Sequence, residues 1–242
     1  MERKISAVRG FLILGIFLSA GMSSQIMAQE VRYKWLDMSF VAQGSELAGT
    51  QPTSEPGQFV DLDTSDGNGI RFRGSAGTWK NMYVFIDYAS TDIDVASVLT
   101  NSSGEQFFDE DEFDMTNVRG GLGVRIPIGW GPATDIYAEV TYDSADVDFG
   151  KLVDEDFDAS NKDMGGALGF RAMLNDNWQV HAYGRYTNSG FVDLTTKEFD
   201  TDTVFGVGFG WQVVRGLSII ADYESGEFSY WAVGFRLDLD ED

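Results

Sequence analysis

Apolar and polar residues alternate with a period of two along several stretches of this chain. Four stretches end on Tyr-x-Ser or Tyr-x-Asn, and a looser fifth ends on an aromatic residue: Tyr88, Tyr142, Tyr186, Tyr223 and Phe40. Strict alternation indicates β-strands, because successive side chains of a strand point to opposite faces. Each stretch runs on into a polar, acidic segment. The five aromatic residues are therefore expected at one common level, as at one rim of a transmembrane β-barrel.

Ten segments carry strand patterns, and the links between them alternate in length. The segments are 31–42, 68–77, 82–90, 115–128, 135–146, 164–173, 178–189, 203–213, 217–226 and 229–239. The links at 78–81, 129–134, 174–177 and 214–216 are short, whereas those around 43–67, 91–114, 147–163 and 190–202 are long and polar. This alternation predicts an all-β fold, a transmembrane antiparallel up-and-down β-barrel with both termini periplasmic. Ten strands are expected, with eight as the alternative.

The first residues have the pattern of a secretory signal. Positive charges precede a short apolar core from Phe11 to Ala20, and Ile26-Met27-Ala28 precedes Gln29. A membrane-anchoring helix is the alternative, but this core is shorter than the ~20 residues that such a helix needs. The sequence therefore predicts a signal peptide at 1–28 and an outer-membrane barrel domain at 29–242, in a Gram-negative bacterium.

One face of each predicted strand carries no charge, as Val84, Ile86 and Tyr88 illustrate. Such faces fit contact with lipid. A soluble β-sandwich or a lipocalin-like barrel could use the same faces as its core. The signal sequence and the aligned tyrosines favour lipid.

The opposite faces carry a ladder of charges. Its members are Asp37, Arg71, Arg73, Asp87, Arg119, Arg125, Glu139, Asp143, Arg171, Arg185, Asp222, Glu224 and Arg236. A buried charge is tolerated only when it is paired and hydrogen-bonded. The ladder therefore predicts a salt-bridged, plugged lumen. The alternative is a small ion or solute channel gated by the arginine–carboxylate ladder, in which replacing Arg125 or Glu139 with alanine would raise the conductance.

The charge of the chain excludes some partners and suggests others. The net charge of −22 argues against nucleic acid, and the absence of cysteine excludes disulfides and thiolate sites. Acidic residues gather in the predicted loops, at Asp109, Glu110, Asp111, Glu112, Asp154, Glu155, Asp156 and Asp158. Their oxygens could bind Ca²⁺ or Mg²⁺ weakly and bridge to lipopolysaccharide. They could equally be solvated loop residues, and no other cofactor is indicated.

Catalysis by histidine could use only His181, the sole histidine of the chain. It lies near the predicted periplasmic end of its strand, whereas proteases of the omptin type work at the outer rim. Paired carboxylates could act as acid and base, but the many acidic residues make any pair unspecific. We therefore expect a protein that is not an enzyme.

Five segments together resemble the small outer-membrane β-barrel superfamily that includes the opacity proteins and the barrel of outer-membrane protein A. They are Asn81 to Phe85, Gly121 to Arg125, Asp135 to Val140, Gly169 to Leu174 and Tyr230 to Leu237. The resemblance implies a monomer that contacts outer-membrane lipid and lipopolysaccharide and is inserted by the outer-membrane assembly machinery. The chain departs from the family by ending Leu239-Asp240-Glu241-Asp242, where such barrels usually finish on an aromatic residue.

Overall fold

Ten antiparallel strands close into a barrel in the computed structural model of this chain. The structure describes residues 33–44, 48–52, 56–128, 133–148, 158–187, 192–193, 198–199, 201–226 and 229–239. The predicted signal peptide at 1–28 lies outside the described residues. The described residues contain no helix that is long and apolar enough to cross a membrane.

The barrel strands differ in length. They are β1 (Trp35–Gly44), β3 (Phe59–Trp79), β4 (Met82–Thr100), β5 (Gln106–Ile128), β6 (Thr134–Asp148), β7 (Asp158–Asn175), β8 (Trp178–Thr187), β11 (Asp202–Val214), β12 (Leu217–Ser225) and β13 (Ser229–Asp238). Three short strands lie outside the ring, namely β2 (Ala48–Pro52), which pairs with β3, and the hairpin of β9 (Val192–Asp193) with β10 (Glu198–Phe199).

The first strand closes the ring, because β1 pairs with β13 on one side and with β3 on the other. Asp37 lies opposite both Arg236 and Arg73. This closure confirms ten strands and rules out the alternative of eight. A closed ring leaves no barrel edge with unpaired backbone groups, as the lipid interior requires.

Tight turns join the strands at the periplasmic end, as the short links predicted. β3 and β4 meet at Lys80, whose φ is 33°, and β11 and β12 meet at Gly216, whose φ is 80°. Glycine adopts a left-handed backbone conformation readily, whereas lysine adopts it uncommonly. The positive φ values at these two residues make both turns sharp. The link at 129–132 lies outside the described residues.

The strands at the extracellular end are longer than the sequence predicted. The segment 91–114, expected as a loop, continues β4 to Thr100 and β5 from Gln106, and these two residues pair in register. Similarly, the segment 43–67 contains β2 and the start of β3. The extended strands form a wall beyond the tyrosine rim, which we call the extension (59–68, 89–100, 106–117, 143–148 and 158–163).

The rim aromatics follow the stagger of the barrel. Following the strand pairing from one rim aromatic toward the next leads to a position two residues closer to the extracellular end than that next aromatic, or four residues closer between Tyr186 and Tyr223. These shifts add up to a stagger of twelve residues around the ring. With ~3.3 Å per residue and ~4.8 Å between strands, this stagger corresponds to a strand tilt of roughly 40°. In a barrel of tilted strands, residues at equal height on successive strands are offset from the pairing register by this stagger. The five rim aromatics have this offset and therefore lie at one level; they are Phe40, Tyr88, Tyr142, Tyr186 and Tyr223.

Candidate functional site

The thirteen predicted ladder residues all occupy inward positions, and their side chains are buried or half-buried. Alternation of side chains along each strand accounts for this common orientation. The structure adds what alternation alone does not contain, which is the choice of partner across the lumen. Three groups of contacts follow one another from the extracellular to the periplasmic end.

The first group crosses the lumen at the level of the tyrosine rim. Arg71 Nε donates to Asp87 Oδ1 at 2.7 Å, and Arg119 Nη2 donates to Asp87 Oδ2 at 2.7 Å. Arg71 also lies 3.3 Å from Glu224, whose second oxygen accepts from Arg185 at 2.9 Å. We call these five residues the partition. Three guanidinium groups and two carboxylates thus form one continuous network across the barrel.

Two tyrosines bind a carboxylate of the partition. The hydroxyls of Tyr183 and Tyr230 both donate to Glu224, which is fully buried. Tyr183 fits because Gly206 lies directly opposite it, and a Cβ at Gly206 would collide with the ring. Cross-strand pairs of an aromatic residue and a glycine therefore position the hydroxyls that bind the carboxylate.

The second group is centred on Asp37 in the membrane-spanning part of the lumen. Arg236 holds the carboxylate with two hydrogen bonds, of 2.7 and 2.9 Å, and Arg73 Nη2 lies 2.9 Å from it. Arg73 also pairs with Asp222, and His181 Nε2 lies 3.3 Å from the same aspartate. The histidine is 8% exposed, so it is a buried member of this network.

The third group lies near the periplasmic end. Arg125 Nη1 pairs with Asp135 at 3.4 Å, and Glu139 accepts a hydrogen bond of 2.7 Å from the Tyr83 hydroxyl. Sequence reasoning missed Asp135, although it has the same parity on β6 as Glu139. Its place next to a predicted turn concealed it, and the parity rule would have found it.

Arg171, Asp143 and Glu139 form no ion pair with another described residue. Arg171 has no ion pair within the described residues, and its guanidinium stacks on the rings of Tyr33, Trp35 and Tyr137. Asp143 accepts a hydrogen bond of 2.8 Å from Thr187. The predicted ladder therefore comes together as a network of ion pairs, together with one arginine and two carboxylates that aromatic rings and hydroxyl groups hold instead.

Two small cavities lie on opposite sides of the partition. The upper cavity, of about 100 Å³, opens toward the extension and is lined by Thr91, Asp143 and Thr187 among others. The lower cavity, of about 50 Å³, is lined by Trp35, Arg171 and Arg236 among others. Asp87 and Arg119 line both cavities. The partition is consequently the layer that separates them.

The predicted cation ligands are not brought together as a metal site. Glu110 and Glu112 are exposed on β5, while only the backbone is described at Asp109, Asp111 and Asp158. Asp154, Glu155 and Asp156 lie outside the described residues. Within the described part of the chain, no group of three or more acidic or histidine side chains is arranged to hold a metal ion. The Ca²⁺ or Mg²⁺ site remains a prediction.

A family model described as outer membrane protein beta-barrel domain matches residues 15–212. The chain is also similar to the translocator domain of the autotransporter NalP from Neisseria meningitidis, with 14% identity, 96% of this chain and 97% of that chain covered, and a TM-score of 0.44. The beta domain of the Bordetella autotransporter BrkA is 12% identical, with 86% of this chain and 100% of that chain covered and a TM-score of 0.46. The outer membrane protein OprG from Pseudomonas aeruginosa is 13% identical, with 88% of this chain and 98% of that chain covered and a TM-score of 0.42. No curated protein matches.

Proposed function

Because the chain belongs to the outer membrane protein β-barrel domain family, we propose that it acts as a closed outer-membrane barrel with a structural or surface-interaction role. The partition is the observation that carries this proposal. Its members are buried or half-buried and bonded to one another, so an ion would have to separate largely desolvated ion pairs to pass. A barrel of ten strands is also far narrower than the channel-forming barrels of about 16 strands.

The outer surface of the extension supplies the interaction role. Its exposed positions carry Asp92, Asp94, Glu112, Asp114 and Asp148. Such a surface repels the anionic lipopolysaccharide unless divalent cations bridge the two. Titration calorimetry with millimolar Ca²⁺ or Mg²⁺, in the presence of lipopolysaccharide vesicles, tests this bridging. The absence of any heat beyond that of vesicles alone would dismiss it.

A small channel is the second candidate, and the two cavities favour it. The lumen is partly hollow on each side of the partition, and one layer of side chains lies between the two cavities. Arg125 lines neither cavity and Glu139 lines only the lower one. A gate would therefore be formed by the partition rather than by these two residues.

Conductance in planar bilayers distinguishes the two candidates. The wild-type protein, with insertion verified, should be silent, whereas Asp87→Asn should produce discrete steps. The substitution removes the carboxylate that holds Arg71 and Arg119 together, so the two guanidinium groups would repel each other. Asp135→Asn is the matched control, because it breaks an ion pair that lines neither cavity.

Conducting outcomes separate the two candidates. Reproducible wild-type steps that Asp87→Asn enlarges and Asp135→Asn leaves unchanged would establish a channel gated by the partition. A silent wild type with a conducting Asp87→Asn variant would establish a plug. Silence of every variant would locate the barrier elsewhere in the lumen.

A further inference from the structure

Three apolar side chains cluster on the outward face at the tip of the extension. Phe59 and Phe108 are 48% and 77% exposed. Phe108 lies opposite Val98 on β4, and Phe59 lies opposite Thr100, two residues farther along the same strand. Alternation therefore places Phe59, Val98 and Phe108 on one face of three neighbouring strands, as direct or diagonal cross-strand neighbours. We call these three residues the tip patch.

The tip patch stands far outside the hydrocarbon of the membrane. Val98 lies ten residues beyond Tyr88 on β4, which for a strand tilted by roughly 40° is a height of about 25 Å above the tyrosine rim. Apolar residues below the rim face lipid, whereas the tip patch faces water. Single exposed apolar residues are ordinary, but an apolar cluster surrounded by polar residues is typical of an interaction site.

The strands that carry the tip patch have only acidic charges above the rim. Segments 59–68 and 89–117 contain eleven aspartates and glutamates and no lysine or arginine. On the outward face, Asp61 lies directly opposite Val98, and Glu110 follows Phe108 two residues along β5; both carboxylates are exposed. In the lumen arginines alternate with carboxylates, whereas these segments contain no basic residue. The surroundings of the tip patch therefore carry a surplus of negative charge.

This charge selects the partner of the tip patch. A second copy of the chain would bring an equally acidic extension against the first, and lipopolysaccharide is anionic as well, so both are repelled. A polyamine would match the charge but would leave the phenylalanines in water. The partner must therefore carry lysine or arginine next to apolar side chains, as a polypeptide can.

We propose that the tip patch docks a basic polypeptide segment outside the cell. Its apolar side chains pack on Phe59, Val98 and Phe108, while its lysine or arginine side chains lie over Asp61 and Glu110. The inference rests on the surface-interaction role proposed above and names the partner. Aromatic residues commonly dominate the affinity of a contact, whereas the charges around it govern the association rate and the salt dependence.

Fluorescence anisotropy of a labelled peptide of alternating lysine and phenylalanine measures this docking. The peptide is titrated with the full chain in nanodiscs of zwitterionic lipid, without lipopolysaccharide or divalent cations, and empty nanodiscs supply the baseline. Phe108→Ser should raise the Kd about fivefold or more, and Phe59→Ser should do the same and serves if Phe108→Ser does not fold. Asp61→Asn should raise the Kd at low salt and reduce its salt dependence. Val214→Ser, at an exposed apolar position near a periplasmic turn, should change neither.

Three results would overturn the docking site. One is a Kd that both Phe108→Ser and Phe59→Ser leave unchanged. Another is equally tight binding of a control peptide with serine in place of phenylalanine, since charge alone would then explain the contact. The third is self-association of the chain that Phe108→Ser abolishes, which would make a second copy the occupant. Calorimetry with lipopolysaccharide and conductance in bilayers have separate readouts, so a failure of docking is distinguishable from a failure of the proposed function.

Discussion

The carboxylate of Glu224 is the acceptor on which much of the partition converges. It is fully buried and binds the side chains of Arg71, Arg185, Tyr183 and Tyr230. Glu224→Gln keeps the shape but removes the charge, so buried guanidinium groups lose their counter-charge. We expect the free energy of unfolding in lipid vesicles to fall by about 3–5 kcal/mol, the usual cost of breaking a buried pair. Urea titration of the folded fraction measures this change.

The matched control for this substitution is Glu105→Gln, at the exposed tip between β4 and β5. It makes the same chemical change where solvent screens the charge, so its effect should stay within about 0.5 kcal/mol. Equal effects of the two variants would show that the partition does not stabilise the barrel.

Sequence reasoning could find the residues of the network but could not assign their partners. Parity along a strand is local, so the inward positions of Asp87 and Glu224 followed from alternation. The contact of Arg71 with Glu224 depends on how far the strands are staggered around the closed ring. No local pattern contains that stagger. That Arg171 forms no ion pair within the described residues could not be foreseen for the same reason.

Strand β4 shows why the extension was taken for a loop. Up to Tyr88 its even positions are apolar and face outward, as at Val84 and Ile86, whereas beyond the rim the buried apolar residues are Ile93 and Val95. The alternation continues, but the apolar face changes from outside to inside. A search of the sequence for one continuous apolar face therefore ends the strand where the apolar residues change from the outward to the inward positions. The acidic residues between the apolar ones then suggest a polar loop.

The outward positions of the extension bring like charges into register. Asp92 lies opposite Asp114, which lies opposite Asp148 on the next strand. The hydrogen bond that protonated Asp114 donates to Asp92 is the main cause that raises the pKa of Asp114 above its usual value of 3.8, and burial and the negative charges of Asp92 and Asp148 add to it. A raised pKa means that the folded state binds the proton more tightly than the unfolded state. Lowering the pH through this raised pKa therefore stabilises the fold, and the gain is absent at neutral pH.

We expect Asp92→Asn to lower the midpoint of the Asp114 titration, because it removes a negative charge and offers an amide donor to the carboxylate. Carboxyl carbon NMR spectra recorded against pH follow this midpoint. Asp176→Asn, in the turn between β7 and β8 at the opposite end of the barrel, should leave it unchanged. An unchanged midpoint in Asp92→Asn would contradict the contact between the two aspartates. High salt should reduce the difference, since both side chains are exposed.

The reversal of polarity also fixes where the barrel lies in the outer membrane. Below the rim, apolar residues face outward around the ring, as at Leu122, Val140 and Val233. On β13 and the residue that follows it, these exposed residues extend from Trp231 to Leu239, a height of about 20 Å for a strand tilted by roughly 40°. This height approaches the apolar band of ~25 Å in outer-membrane barrels. Above the rim, the outward faces are acidic and the extension must stand in water.

Two arginine substitutions on β5 test this boundary. Leu122 and Phe108 both point outward and are 58% and 77% exposed, but Leu122 lies opposite Val84 below the rim, whereas Phe108 lies opposite Val98 in the extension. Leu122→Arg should lower the free energy of unfolding in vesicles by about 2–4 kcal/mol, because the guanidinium would enter the hydrocarbon. Phe108→Arg should cost at most about 1 kcal/mol, since its side chain is already in water. Equal costs at both positions would place Phe108 in lipid and move the membrane boundary to the tip of the extension.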